Sequence, residues 1–381
     1  MNRIRGLDSI RAFLALWVAM NHVIKPPLSA GIDASSRLGW LLEKTYSLTI
    51  NGQAAVIGFF LISGFCVHLP YRKTGPTNVL AYYLRRHIRV AVPFVVVLVL
   101  TQFLPENLAN LERGIFWSVY AELIYYTLYP FIFRLQRRIG WNALIALSCL
   151  LAPIVLFANH PNGNYHDAGD ELAWILGLPC WLLGCRLAEQ FDRPRSPVGH
   201  LEIWRWRLTV WVVSVICYFL RFHTPIKHYY SLDIFAVLVY FWLDREIRFF
   251  MNVAPLRFME KAGGWSYSLY LTHFFAATLY LACSPYLPDF FGAKRNADWT
   301  LAESRTFLDW LVRCIFVFAT AYGFHLAVER PAHQIARRLA KRVSKHEEVA
   351  PGESSTPLQS TRPEVERPKE SLLTAVVAEE P

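Results

Sequence analysis

The chain has 381 residues, of which 54% are hydrophobic, 15% aromatic and only 18% charged. Soluble domains carry about 25% charged residues, so this balance excludes an ordinary soluble globule and points to a polytopic membrane protein. The net charge of +10 is no sign of a nucleic-acid partner, because the basic residues stand at the ends of apolar runs instead of forming one patch.

The first run opens as Arg5-Gly-Leu-Asp-Ser-Ile-Arg11 and closes at His22. The step of eleven from Arg11 to His22 is about 1,100° of helix, close to three turns. Both side chains therefore share one face, about 16 Å apart along the axis. Arg3 and Arg5 precede the run with no small-residue cleavage site before Pro26, so it is expected to stay attached as a first span.

About ten runs of spanning length follow one another, near 9–25, 54–70, 88–104, 114–133, 141–158, 171–188, 208–222, 229–243, 264–283 and 308–328. A cytoplasmic N-terminus then puts 29 of the 39 Lys and Arg on the cytoplasmic side. Dropping one span would exchange the sides downstream and spoil that bias. The expected fold is an all-α polytopic membrane protein, a bundle of about ten transmembrane helices with both termini cytoplasmic. The longest outer loops, 26–53 and 284–307, are too short for a folded domain. Residues 1–343 read as the membrane-embedded domain. Residues 344–381, rich in Glu, Ser, Thr, Pro and Val without periodicity, read as a disordered cytoplasmic tail. No internal repeat stands out. All seven cysteines lie in apolar runs, which fits small buried side chains better than a disulfide or zinc framework.

Polar groups inside apolar spans are costly and so informative. His22 lies in the outer half of span one and Arg11 at its inner mouth; an interfacial helix cap and a positive-inside anchor are the plain alternatives. In span two, Ser63 and Gly64 of Phe59-Phe-Leu-Ile-Ser-Gly-Phe65 suit close helix packing. Arg86 and Arg89 of Tyr82-Tyr-Leu-Arg-Arg-His-Ile-Arg89 stand one turn apart at a helix start, placed for phosphates; anionic lipid head groups serve equally. Glu122 lies about two turns into span four, with Tyr125, Tyr126 and Tyr129 following on its helical face. A carboxylate at that depth needs a partner or a proton. Trp117 fits an aromatic belt. Trp265-Ser-Tyr-Ser-Leu-Tyr-Leu-Thr-His273 puts a second histidine in span nine, where packing is the alternative. Glu329-Arg-Pro331 reads as a helix stop with a local ion pair. The outer loop 159–171, with His160, His166, Asp167 and Asp170, reads as solvated and not as a metal site.

Taken in order, these motifs resemble the membrane-bound acyltransferase 3 family. Leu7-Asp-Ser-Ile-Arg11 followed by His22 is similar to its opening. Phe60-Leu-Ile-Ser-Gly-Phe65 is similar to its second-span motif, and Arg85, Arg86, Arg89 and Pro93 to its basic cytoplasmic segment. Trp117-Ser118 with Glu122, Tyr125 and Pro130 resembles its Trp-Ser-Leu-x-x-Glu signature, from which Val119-Tyr120 departs. Ser266 to His273 and the closing Glu-Arg-Pro complete the set.

The resemblance implies an enzyme that takes an acyl group, most often acetyl, from cytoplasmic acyl-CoA. The acceptor is a hydroxyl of an extracytoplasmic carbohydrate, such as a surface polysaccharide or lipid-linked glycan, and the location a bacterial inner membrane. His22 is then a general base or a covalent acyl carrier, with Glu122 orienting it. Arg11, Arg86 and Arg89 hold the CoA phosphates, and Ser63, Trp117, Ser118, Tyr270 and His273 support substrate or structure. No resident cofactor or metal is implied, and no nucleic acid. A transporter or flippase with proton-coupling Glu and His is the competing reading; a non-enzymatic scaffold is the weakest.

Overall fold

The computed structural model describes residues 4–28, 32, 36–104, 116–159, 169–193, 196–224, 228–283 and 306–349. Among them there is no strand. Thirteen helices follow in chain order, beginning with α1 (Leu7–His22), α2 (Arg37–Thr49), α3 (Gly52–His68), α4 (Val79–Thr101), α5 (Trp117–Ile139), α6 (Trp141–Asn159) and α7 (Gly169–Glu189). They continue with α8 (His200–His223), α9 (His228–Asn252), α10 (Arg257–Gly263), α11 (Ser266–Cys283), α12 (Phe307–Phe324) and, after a π-helical turn at His325–Glu329, α13 (Arg330–Val349).

Short polar side chains start several of these helices. Ser36, Asn51, Asn78 and Thr306 each accept a hydrogen bond from the backbone N–H three residues on, which satisfies a donor the helix leaves open. Gly140, at φ 81°, turns the chain between α5 and α6, whose axes differ by 115°.

Each of the ten expected runs falls on a helix. By length and composition, four described stretches are long and apolar enough to cross a membrane: Arg37–His68, Leu172–Glu189, His200–His223 and Phe307–Ser344. The bent pair α5–α6 makes a fifth if it is one span. Several of the remaining helices carry charges: Asp8 and Arg11 on α1, Arg85, Arg86 and Arg89 on α4, and Asp233 and Asp244 on α9.

The burial pattern is that of a protein whose outer surface is oily. Large apolar side chains stand exposed along α4 (Val92, Val95, Val99), α6 (Leu147, Leu150, Ile154), α8 (Leu208, Ile216, Phe219) and α12 (Leu311, Ile315). Polar residues such as Ser63, His68, Ser118 and His273 are buried. An aqueous fold inverts this arrangement; a lipid solvent favours it.

The sequence reading misses α2, which lies inside the expected outer loop 26–53 and packs on α8. It shows Leu38, Trp40 and Leu41 on its exposed side, a composition that suits an interface and not a span. Glu329-Arg-Pro331 does not stop its helix. The π turn immediately before Pro331 absorbs the clash and missing N–H that proline brings to a helix interior, and α13 runs on past the expected boundary at 343/344 to Val349. There the buried Ala332, Ala336 and Ala340 form a narrow stripe on α13, which packs against α4. Residues 350–381 and the polar loop residues 160–168 lie outside the described residues.

Helix α3 is the centre, packed on α1, α5, α7 and α9. Its closest neighbour is α7. A methyl on Gly64 would sit 2.0 Å from the Trp181 carbonyl oxygen, and one on Gly184 would sit 2.0 Å from that of Leu61. The expected small-residue packing at Gly64 is thus reciprocal, backbone against backbone. Helix pairs α1–α3, α3–α5, α5–α4, α4–α11 and α11–α1 are all in contact, so five helices close a ring.

Candidate active site

Polar contacts bridge that ring in three tiers. Along α1, Arg11 marks the inner tier and His22 the outer one, about 16 Å away by helix geometry. Along α5 the order reverses, from Ser118 through Glu122 to Tyr126, because α5 runs the other way.

In the inner tier, Cys66 of α3 gathers two of the expected arginines. The Arg11 guanidinium donates to Cys66 Sγ at 3.2 Å and to Asp8 Oδ1 at 3.1 Å. Arg86 donates to the Cys66 carbonyl at 2.9 Å and lies over the Tyr126 ring, 5.9 Å from its centroid. Arg89 feels Arg11 and Arg86 as like charges and Glu329 as an opposing one. Among the described residues it has no hydrogen-bond or ion-pair partner. Three guanidinium groups are thus concentrated at one end of the ring, an arrangement that favours a polyanion.

The middle tier belongs to Glu122. Ser63 Oγ donates to its Oε1 at 2.6 Å and the Tyr126 hydroxyl at 2.5 Å. Of the three tyrosines expected on its face, only Tyr126 meets it. Tyr125 donates to the Trp174 carbonyl at 2.6 Å, and Tyr129 bonds His68 at 2.9 Å.

The outer tier holds His22. Its Nδ1 lies 3.1 Å from Nε2 of His273, with the two ring planes within 12° of parallel and meeting edge to edge. The expected partner was Glu122; the structure puts His273 there, because the Glu122 carboxylate is engaged one tier inward by Ser63 and Tyr126. The proton positions follow from the network. Nδ1 of His273 is 2.7 Å from the Tyr270 carbonyl, which only accepts, so that nitrogen carries the hydrogen and Nε2 its lone pair. The contact with His22 then requires a proton on His22 Nδ1, which leaves His22 Nε2 as the free base. Ser118 and Tyr270 share a 2.6 Å hydroxyl contact that ties α5 to α11 beside the pair.

His22 opens onto a cavity of about 230 Å³ lined also by Asn21, Gln53, Trp117, Tyr218, Arg221 and Tyr270. The ends of α1 and α8 and the beginnings of α3 and α5 meet there. At this rim a methyl on Gly52 would stand 2.7 Å from Asn21 Oδ1, so any larger residue would have to displace that side chain. The ring thus carries a cluster of cations at one end, a carboxylate in the middle tier, and a histidine base on a cavity at the other end.

The profile of the acyltransferase domain family matches residues 4–328. The chain belongs to the acyltransferase 3 family. It is an integral membrane acyltransferase, with helices and no strand among its described residues. Neither a curated protein nor a solved structure matches it. The site residues expected from the sequence all lie on the five helices of this ring, divided among its tiers, and His22 meets His273 and not Glu122.

Several residues of the site escaped the sequence reading. Tyr126 was visible only as one of three tyrosines. Cys66 looked like a buried apolar residue, and Arg221 was not singled out. Asn21 and Gln53 carry no motif at all.

Proposed function

We propose that the protein transfers an acyl group, in the simplest case acetyl, from cytoplasmic acyl-CoA to a hydroxyl of an extracytoplasmic carbohydrate. The chain spans a bacterial inner membrane ten times with both ends cytoplasmic, in keeping with the distribution of its basic residues. The single observation that carries this reading is the His22–His273 pair at the cavity end of a five-helix ring whose other end gathers Arg11, Arg86 and Arg89.

In this reading the three arginines hold the CoA phosphates, and the pantetheine arm runs outward within the ring past Ser63 and Glu122. The thioester carbonyl comes to rest beside His22. Nε2 of His22 takes the proton of the acceptor hydroxyl as its oxygen attacks that carbonyl. The new C–O bond forms, the C–S bond breaks, and CoA leaves as the thiolate. His273 keeps the His22 tautomer fixed and accepts the hydrogen bond that strengthens as His22 becomes cationic, the part a carboxylate plays in a catalytic triad. Glu122 acts as a positioning residue that ties α3 to α5.

The test is release of free CoA from acetyl-CoA by the purified protein in liposomes, with a glycan acceptor supplied, for wild type and His22→Ala. Release that depends on His22 supports acyl transfer. No release, or equal release from both, sinks the assignment of His22 and gives weight to a transporter.

A further inference from the structure

The outer cavity carries a charge that the acyl-transfer reading leaves unused. Of the residues lining it, only Arg221 bears a full charge and none is Asp or Glu. Arg221 is half-buried, and its guanidinium rests near the rings of Tyr218 and Phe222, 5.8 Å and 5.1 Å from their centroids. It has no hydrogen-bond or ion-pair partner among the described residues. Lys44 of α2 also lies near the Phe222 ring, 5.9 Å from its centroid, and has no ion-pair partner among the described residues. Charge without a counterion in a partly enclosed site is costly, so the cavity favours an anion.

The other linings say what kind of anion. Trp117 and Tyr218 contribute aromatic side chains to the wall and Asn21 and Gln53 contribute amide side chains, residue types of the kind that hold a sugar ring and its hydroxyls. About 230 Å³ is below the ~300–1,000 Å³ of pockets that take drug-sized ligands, so one sugar residue enters and the rest of the glycan stays outside. Resting on the reading of His22 as the acceptor's base, we infer that Arg221 selects an anionic sugar, a residue bearing a carboxylate or a phosphate ester near the hydroxyl to be acylated. The guanidinium fork pairs with either oxyanion.

The probes are methyl β-glucoside, methyl β-glucuronide and methyl β-glucoside 6-phosphate, which share a ring and differ in charge. Acyl transfer to each is measured as kcat/KM in liposomes. Binding of each without acyl-CoA is measured by saturation-transfer NMR in nanodiscs. Wild type is expected to favour at least one anionic glycoside over the neutral one by about tenfold or more, the worth of one charge-assisted hydrogen bond. Which anionic probe is favoured tells carboxylate from phosphate. In Arg221→Gln the ratio falls towards one, and Arg221→Lys restores part of it. The ratio is internal to each variant, so a smaller folded fraction cancels. Equal handling of the three probes by wild type, an anion preference that survives Arg221→Gln, or no binding of any probe overturns the inference. If transfer depends on His22 yet ignores charge, only the role of Arg221 fails. If His22→Ala transfers like wild type, the reading beneath it fails.

Discussion

His22 Nδ1 and His273 Nε2 approach to 3.1 Å, from helices α1 and α11 whose sequence positions are 251 residues apart. Since His273 is itself held by the Tyr270 carbonyl, its removal frees the His22 ring to rotate and to exchange tautomers. His22→Ala is expected to lower kcat by about 10²–10⁴, the usual worth of a general base. His273→Ala should cost less, about tenfold to a hundredfold. His273→Gln keeps an acceptor oxygen for His22 Nδ1–H and should recover most of that loss. Steady-state acyl transfer with matched melting curves checks this; a Gln variant no better than Ala would mean that His273 merely packs.

Glu122 is an acceptor for two buried hydroxyls, Ser63 and Tyr126. Glu122→Ala removes that acceptor; the two hydroxyls lie 3.3 Å apart and one can turn to the other, so at least one is left without an acceptor, at about 1–3 kcal/mol. The amide of Glu122→Gln can still accept through its oxygen. Thermal unfolding in detergent should therefore drop clearly for the Ala variant and little for Gln, with acyl transfer in the Gln variant largely kept. Loss of transfer in a well-folded Glu122→Gln would instead return the charge of Glu122 to the chemistry.

The difference between Glu122 as His22's partner and Glu122 one tier inward shows where sequence stops being legible. Charged and titratable groups in apolar runs stand out because lipid penalises them, so Arg11, His22, Glu122 and His273 were all readable. Which of them touch depends on the rotation of each helix about its axis, and one residue of phase is about 100°. That phase is set by packing, here by Gly64 and Gly184 bringing α3 against α7. Arg221 was invisible for another reason: it sits at the end of its helix and belongs to none of the motifs that stood out in the sequence.

The inner arginines should act on donor binding and not on the chemical step. Arg89→Gln removes a guanidinium that has no ion-pair partner among the described residues, and Arg86→Gln one held by the Cys66 carbonyl and the Tyr126 ring. Each should raise KM for acetyl-CoA about tenfold or more, consistent with hydrogen bonds to charged groups at ~1.5–3 kcal/mol, with kcat little changed. Dephospho-CoA thioesters should lose part of that difference. A fall in kcat at unchanged KM would place these residues elsewhere in the cycle.

Two glycine substitutions should have opposite signs. Gly64→Ala drives a methyl to within 2.0 Å of the Trp181 carbonyl oxygen, a backbone atom that cannot swing aside. The helices must part, at the upper end of the ~1–3 kcal/mol typical of overpacking or beyond it. Gly323→Ala, in α12, meets nothing within 4 Å and should gain about 0.5–1 kcal/mol from better helix propensity. Melting temperatures of the two variants in one detergent decide it, and equal values would count against the α3–α7 backbone contact.

Ten spans with cytoplasmic ends make a prediction about sidedness that composition alone does not settle, since only four or five stretches pass as spans by length and apolarity. The helices that fail include those with Arg11, Arg86, Arg89 and Glu122, groups that face one another inside the ring and so need not meet lipid. Counted by the average of its residues, such a helix looks too polar; counted by its outer face, as on α4 with Val92, Val95 and Val99 exposed, it is apolar. Green fluorescent protein joined after Val349 should therefore fluoresce. Alkaline phosphatase joined after Leu28 should be active, and the same enzyme joined after Lys73 inactive. An inactive fusion at Leu28 or an active one at Lys73 would reverse α1 or α3 and move the cavity of His22 and Arg221 to the cytoplasmic side.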